Sequence, residues 1–152
     1  MKENKKEWLH VNFVFEAIGR PKEHITEMLQ LLVKKLGESK KVEVLKSKLH
    51  EAKPIERKEN SEKIAEVYSS FVEVEALVES MTKLMGIIFD FMPSSIEIVS
   101  PIDLKMKAWD ANALLNDLAT KLHYYNMALN ALKAERDMLS MKLSKSKQNS
   151  KY

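Results

Sequence analysis

The sequence contains few of the residue types that carry catalysis or bind metals. It has no cysteine and only three glycines, which excludes thiolate zinc sites, cysteine nucleophiles and glycine-rich phosphate loops. Its four histidines are scattered over different predicted elements, and no two of them have the i, i+4 spacing of a helical metal site. We therefore expect no enzyme, no metal centre and no cofactor.

The most unusual polar pattern is a stripe of amide and imidazole side chains near the C-terminal end. Asparagine is a mediocre helix former, so each one costs a few tenths of a kcal/mol relative to alanine. The stripe is either a solvated flank or a ladder that bonds a ligand, a base edge or a partner helix, and asparagine near a helix seam can also fix its register. Interrupted by Ala119, it comprises Asn112, Asn116, His123, Asn126 and Asn130.

A second polar candidate lies at the predicted start of the first helix, where Arg20, Lys22 and His24 surround Pro21. Unpaired backbone N–H groups and the helix dipole favour an anion at such a position. Glu23 opposes that interpretation, and basic residues are common at helix starts that bind nothing. An anion site and an unliganded helix start both remain open.

The elements that would position these residues follow from the hydrophobic periodicity. The order is strand, helix, strand, strand, helix, strand, which is typical of a ferredoxin-like βαββαβ fold, an α+β antiparallel sheet with two helices on one face. The predicted elements are a strand over 9–18, a helix after Pro21 capped at Gly37, a strand from Val42 that runs irregularly toward His50, a strand over 66–76, a helix from Val78 to Pro93 and a strand over 96–99.

A long helix is predicted after this core, because residues 111–143 contain no glycine or proline and Asp110 is a good N-cap. We divide the chain into a core at 1–109, a helix at 110–143 and a flexible basic tail at 144–152; residues 102–108 alternate and are expected to form a short strand or arm. Apolar residues with 3-4 spacing form a helix–helix seam, interrupted by Arg136. The seam contains Leu115, Leu118, Leu122, Tyr125, Leu129, Leu132, Leu139 and Leu143.

A second apolar stripe on the same helix runs through Met127, Ala131, Ala134, Met138 and Met141. One flat partner cannot cover both stripes, which favours a helix from another chain as the partner of this one. The alternative is that the helix packs on its own domain. Oligomeric state and partner identity are therefore open.

The face of the sheet away from the predicted helices brings Phe71 together with Val14 and Val99, which we expect to lie side by side. Its rim is acidic, with Glu16, Glu73, Glu75 and Glu97. Carboxylates repel phosphate, so this face is a poor RNA platform. We expect Phe71 to be covered by protein, with part of the long helix, its own or a partner's, lying over this face.

Several stretches resemble segments of a family of small archaeal proteins that have a ferredoxin-like core, a long C-terminal helix and no assigned activity. The resemblance covers about residues 9–143 and implies no catalytic residues. It is carried by segments 15–24, 71–75, 87–98 and 122–125, which include Gly19-Arg20-Pro21, Phe71-Val72-Glu73 and His123-Tyr124-Tyr125.

Charge and hydropathy restrict where the protein acts and what it binds. The net charge is +3, but residues 142–152 supply four lysines and no acid, so the remaining chain carries about −1. No stretch is long enough for a membrane span or suited to a signal peptide, which favours a cytoplasmic protein. We expect a non-enzymatic interaction module that self-associates or docks a protein through the long helix; the alternative is an RNA-associated protein using the tail and the polar stripe.

Overall fold

The computed structural model describes residues 7–55 and 67–149, with side chains as far as residue 146. The chain divides into two compact units, residues 1–105 and residues 106–152. The first unit holds the sheet and two helices, and the second holds one long helix. The elements in chain order are β1 (Leu9–Gly19), α1 (Lys22–Glu38), β2 (Val42–Leu49), β3 (Lys53–Pro54), β4 (Tyr68–Val78), α2 (Met81–Phe91), β5 (Ser95–Ser100) and α3 (Ala108–Asn149).

The four long strands form an antiparallel sheet in the order β2-β4-β1-β5, and the short β3 pairs with the start of β4. With one helix after β1 and another after β4, this is the ferredoxin-like arrangement, so the predicted fold class is confirmed. The alternating burial along β1 shows why the prediction works. Leu9, Val11, Phe13, Phe15 and Ala17 are buried, while the residues between them face the other side.

The core lies between one face of the sheet and the two helices. From α1, Ile25, Leu29 and Leu36 are buried, at the spacing that places them on one helical face. Leu84 and Ile87 from α2 complete the layer. Phe13 and Phe15 stack with their ring centres 5.7 Å apart, beneath these helices. Among the described residues of the first unit, no helix covers the opposite face of the sheet, here called the outer face.

Two predicted boundaries of the core helices are wrong, each for a local reason. Helix α1 continues past Gly37 and ends at Glu38, with the backbone N–H of Ser39 bonding to the Leu36 carbonyl, so Gly37 is not the cap. Helix α2 begins after Ser80, whose hydroxyl accepts a hydrogen bond from the Lys83 N–H. Val78 therefore belongs to β4, where it pairs with Leu9.

The region after β5 also differs from expectation. Residues 101–107 form no strand, although their side chains alternate. Since no neighbouring strand pairs with them, alternation alone does not create a ladder. Helix α3 begins at Ala108, before Asp110, and continues through residues 144–149 of the predicted tail. At about 1.5 Å per residue, its 42 residues span about 63 Å.

Candidate interaction surfaces

The outer face is built from four strands, and their register places its side chains in rows. One row runs Lys46, Glu75, Asn12 and Glu97, from β2 across β4 and β1 to β5. The next row runs Lys48, Glu73, Val14 and Ser95 in the same strand order. All residues of the two rows except Ser95 line an open hollow of about 420 Å³. The face is therefore polar and of mixed charge.

The lysines reach this face because of a β-bulge, which gives the predicted irregularity of this strand a position that the sequence did not indicate. Val44 pairs with Ala76 but Lys46 pairs with Glu75, so Leu45 is the extra residue. Without it, the strict alternation that follows Val42 would turn Lys46 and Lys48 toward the helices. The only signal in the sequence is that an amphipathic strand starting with Val42 and Val44 would otherwise bury two lysines.

Two carboxylates of the predicted acidic rim have histidine partners. His10 Nε2 lies 2.7 Å from Glu75 Oε1, and His50 Nε2 lies 3.1 Å from Glu73 Oε2. The hydrogen bond with His50 holds the pKa of Glu73 below its ordinary value, and the charges of His50, Lys48 and Lys46 act in the same direction. Lys46 and Lys48, which pair with Glu75 and Glu73 across the ladder, make the rim less negative than Glu16, Glu73, Glu75 and Glu97 alone would make it.

Phe71 occupies the next row of the outer face, opposite Glu16 of β1. Its ring is half-buried and stacks on the His50 ring, with centres 4.0 Å apart and planes 16° apart. The predicted apolar centre is wrong in one respect. Val99 falls at the register shift beside His10 and Val11, near the other end of β1. Antiparallel pairing thus separates Val99 from Phe71 and leaves Val14 as the diagonal neighbour.

The predicted anion site at the start of α1 is only partly assembled. Arg20 and Lys22 line an open hollow with Pro21, Glu23 and Tyr68, whereas the exposed His24 does not line it. The Lys22 ammonium lies 3.0 Å from the Glu51 carboxylate, and this hydrogen bond lowers the pKa of Glu51. Lys22 is thus already neutralised by a carboxylate of its own chain.

The predicted seam is present on one side of α3, and its leucines are largely exposed. Leu129 is 54% exposed, and Leu122 and Leu132 are 55% and 61% exposed. Tyr125 and Leu115 are exposed as well, whereas Leu118 is half-buried. In heptad notation, Leu115, Leu122, Leu129, Arg136 and Leu143 occupy a positions, and Leu118, Tyr125, Leu132 and Leu139 occupy d positions. This a/d seam runs through some four heptads.

Arg136 interrupts the seam, but its charge is directed toward a flank of the helix. Its guanidinium donates through Nε and Nη2 to Asp137 Oδ1, at 3.1 and 2.8 Å. Its aliphatic stem stays on the a position. Arg136 therefore changes the shape of the seam more than it places a charge in it. Arg136 lines a shallow groove with Leu132, Leu139 and Leu143.

The polar stripe and the second apolar stripe occupy other faces of α3. The polar residues fall on b and e positions, and all are exposed; within residues 7–55 and 67–146 none makes a side-chain hydrogen bond. Met127, Met138 and Met141 are also more than half exposed. The second stripe occupies c and f positions, on the side opposite the a/d seam. The polar residues of the stripe are Asn112, Asn116, His123, Asn126 and Asn130.

The described part of the chain contains no group of three or more His, Asp or Glu side chains that could hold a metal ion. The side-chain bonds on the outer face join residues in pairs, each serving as the other's partner. Within residues 7–55 and 67–149, no helix combines the length and the apolar character that crossing a membrane requires.

Comparison with known proteins identifies a family for this chain. The model of the MJ0538 family matches residues 10–147, which include the sheet, both core helices and nearly all of α3. The chain therefore belongs to the MJ0538 family. No curated protein and no solved structure matches it.

Proposed function

We propose that this member of the MJ0538 family is a non-enzymatic interaction module that self-associates through the a/d seam of α3. The observation that carries the proposal is the exposure of that seam. Six of its leucines are more than half exposed: Leu115, Leu122, Leu129, Leu132, Leu139 and Leu143.

The energetic reason is the hydrophobic effect. Fully burying one leucine side chain contributes about 1.5–3 kcal/mol relative to leaving it in water. A row of leucines repeated over several heptads therefore gives a large driving force for pairing with another helix. Ordinary surface helices expose single leucines, not a row on one stripe.

Two features of the chain fit a binding module better than an enzyme. The family match includes α3 together with the core, so the long helix is part of what the family shares. The outer face pairs its histidines with carboxylates and offers no nucleophile beside a base within the described residues. An archaeal source and a cytoplasmic location are further predictions, which the resemblance and the hydropathy favour.

Leu129→Asp tests this proposal, because it places a charge at the centre of the seam. A buried unpaired charge costs several kcal/mol, so the variant should lose association, and its helix content should fall with it. Light scattering measures the mass, and far-UV circular dichroism measures the helix content. Asn130→Asp is the matched control, since it adds the same charge one residue along, on an exposed b position.

The proposal predicts a wild type heavier than one 17.6 kDa chain, a monomeric Leu129→Asp variant and an Asn130→Asp variant like wild type. Equal mass and equal helix content in all three proteins would refute it. A monomeric wild type that loses helix only in Leu129→Asp would replace self-association with the docking of another protein. Salt-sensitive RNA binding lost on removing residues 142–152 would favour the RNA-associated alternative.

A further inference from the structure

We infer that the partner of α3 is α3 of a second copy in antiparallel orientation, with Leu122 of one chain against Leu132 of the other. This inference rests on the proposed self-association and adds its direction and register. Both follow from the charged side chains that flank the a/d seam. These are the e and g positions, which set partner choice and orientation in coiled coils.

The g positions of α3 carry Leu114, Lys121, Ala128, Glu135 and Lys142. The e positions carry Asn112, Ala119, Asn126, Lys133 and Ser140. Glu135 is thus the one acid at an e or g position between residues 112 and 142. Within the described residues Glu135 forms no ion pair, and the residues three and four positions away on α3 are Leu132, Met138, Ala131 and Leu139.

A parallel pair does not use Glu135. In that orientation each g residue meets an e residue of the next heptad, so Lys121 would face Asn126 and Glu135 would face Ser140. Each a residue would also face its own copy, which sets Arg136 against Arg136. No pair of opposite charges forms across the seam.

An antiparallel pair brings g positions next to g positions, and one register joins the two opposite charges. When Leu122 packs against the partner's Leu132, Lys121 lies beside the partner's Glu135. Two-fold symmetry makes this contact twice. The same register packs Leu115 on Leu139, Tyr125 on Leu129 and the aliphatic stem of Arg136 on Leu118, leaving the Arg136 guanidinium with Asp137.

Neighbouring antiparallel registers do not bring the opposite charges of Lys121 and Glu135 together. Shifting by one heptad so that Leu122 meets the partner's Leu139 places Lys121 beside Lys142. Shifting by two places Glu135 beside the partner's Glu135, and shifting in the opposite direction places Lys121 beside Ala128. The Leu122–Leu132 register also overlaps almost the whole length of α3, because it is centred on residue 127.

Cysteine cross-linking tests the direction and the register of the pair. Because the chain has no cysteine, every disulfide must come from an introduced residue. A mixture of Leu122→Cys and Leu132→Cys chains, carrying tags of different size, should form a mixed disulfide dimer on mild oxidation. Leu122→Cys alone should not, because its copies would be about ten residues, or about 15 Å, apart along the pair. The control mixture of Leu122→Cys with Leu139→Cys should also remain uncross-linked.

The possible results separate the two proposals. A Leu122→Cys dimer that forms by itself would overturn the antiparallel direction, and a Leu122–Leu139 dimer would overturn the register; both leave self-association standing. Absence of every cross-link, together with unchanged mass in Leu129→Asp, would overturn self-association itself. The cross-links are read from band size under non-reducing conditions, and the mass of Leu129→Asp is read from light scattering.

A charge exchange tests the flanking contact independently. Lys121→Glu and Glu135→Lys should each weaken the dimer by roughly 2- to 30-fold, since two exposed ion pairs contribute about 0.2–1 kcal/mol each. The double variant should recover most of that loss, because the exchanged charges meet again across the pair. The two residues are too far apart on one helix to compensate within a chain, so additive losses in the double variant would refute the contact.

Discussion

The first unit and α3 have similar apolar side chains in different surroundings. Leu29 of α1 is 1% exposed, whereas Leu129 of α3 is 54% exposed. Both leucines belong to regular helical stripes, so the difference lies in what covers them. In the first unit, the β1–α1 and β4–α2 connections return each helix onto the sheet. The a/d seam of α3 has most of its leucines facing solvent, and the proposed self-association would cover them.

The largest effect should come from substituting these two leucines. Leu29→Ala should lower the free energy of unfolding of the core by about 2–5 kcal/mol at any protein concentration, because it leaves a cavity. Leu129→Ala should change the thermal midpoint only in a concentration-dependent way, because it weakens a contact between chains. Calorimetry at several concentrations distinguishes them. Equal, concentration-independent losses would show that the seam is covered within one chain.

Phe71→Ala should have the next largest effect. The ring is half-buried and stacks on His50, so its removal should cost about 1–2 kcal/mol of stability. Phe13→Ala is the comparison, since Phe13 is 1% exposed and its loss should cost about 3–5 kcal/mol. Chemical denaturation measures both. A loss for Phe71→Ala as large as for Phe13→Ala would show that protein covers the outer face, as the sequence predicts.

A role of Phe71 in RNA binding would give a different result for the same variant. If Phe71 were a stacking platform for a base, Phe71→Ala would leave stability unchanged and remove RNA affinity. The carboxylates of Glu73 and Glu75 beside it make that result unexpected, although Lys46 and Lys48 reduce the repulsion. A titration with single-stranded RNA at two salt concentrations decides the matter.

The sequence predicts the first unit well because its signals are local. Strand alternation in β1 and helical spacing in α1 each reflect burial against a neighbour that the fold supplies. The β2 bulge has only a weak signal, the two lysines that a regular strand would bury, since its position depends on how β2 pairs with β4. Lys46 and Lys48 therefore reach the outer face unpredicted, and the His10–Glu75 and His50–Glu73 pairs join residues far apart in sequence.

Pattern alone also leaves the partner of α3 open. The a/d seam is visible from Leu115 to Leu143. A heptad repeat indicates only that this stripe packs against another helix, and it does not identify that helix or its direction. Helix boundaries fail for a related reason. Gly37 and Asp110 are good caps in isolation, yet the surrounding chain continues the helix in both cases.

A smaller effect should appear on acidification. The pKa of Glu73 is lowered in the folded protein, chiefly by its hydrogen bond with His50, so its contribution to stability is complete above the ordinary pKa of a glutamate. That contribution is lost as the pH falls below about 4.3 and through the lower folded-state pKa. In Glu73→Gln, the free energy of unfolding should therefore decrease less steeply than in wild type as the pH is lowered below about 4.3.

Glu16→Gln is the matched control, since Glu16 lies on the same face and has no side-chain partner within the described residues. The free energy of unfolding of this variant should decrease on acidification as that of wild type does. Denaturation midpoints measured between pH 3 and 7 provide the comparison. A decrease in Glu73→Gln as steep as in wild type would mean that the His50–Glu73 pair contributes nothing in solution.

The smallest effect is expected from deleting residues 144–152. Helix α3 reaches Asn149, so the deletion removes six helical residues, but the described side chains among them, Ser144, Lys145 and Ser146, are exposed. Truncation after Leu143 retains every leucine of the a/d seam as well as Lys121 and Glu135. The melting temperature of the core and the number of chains in the assembly should both stay the same, as measured by calorimetry and light scattering. Fewer chains per assembly would mean that the pairing extends past Leu143, which the Leu122–Leu132 register does not require.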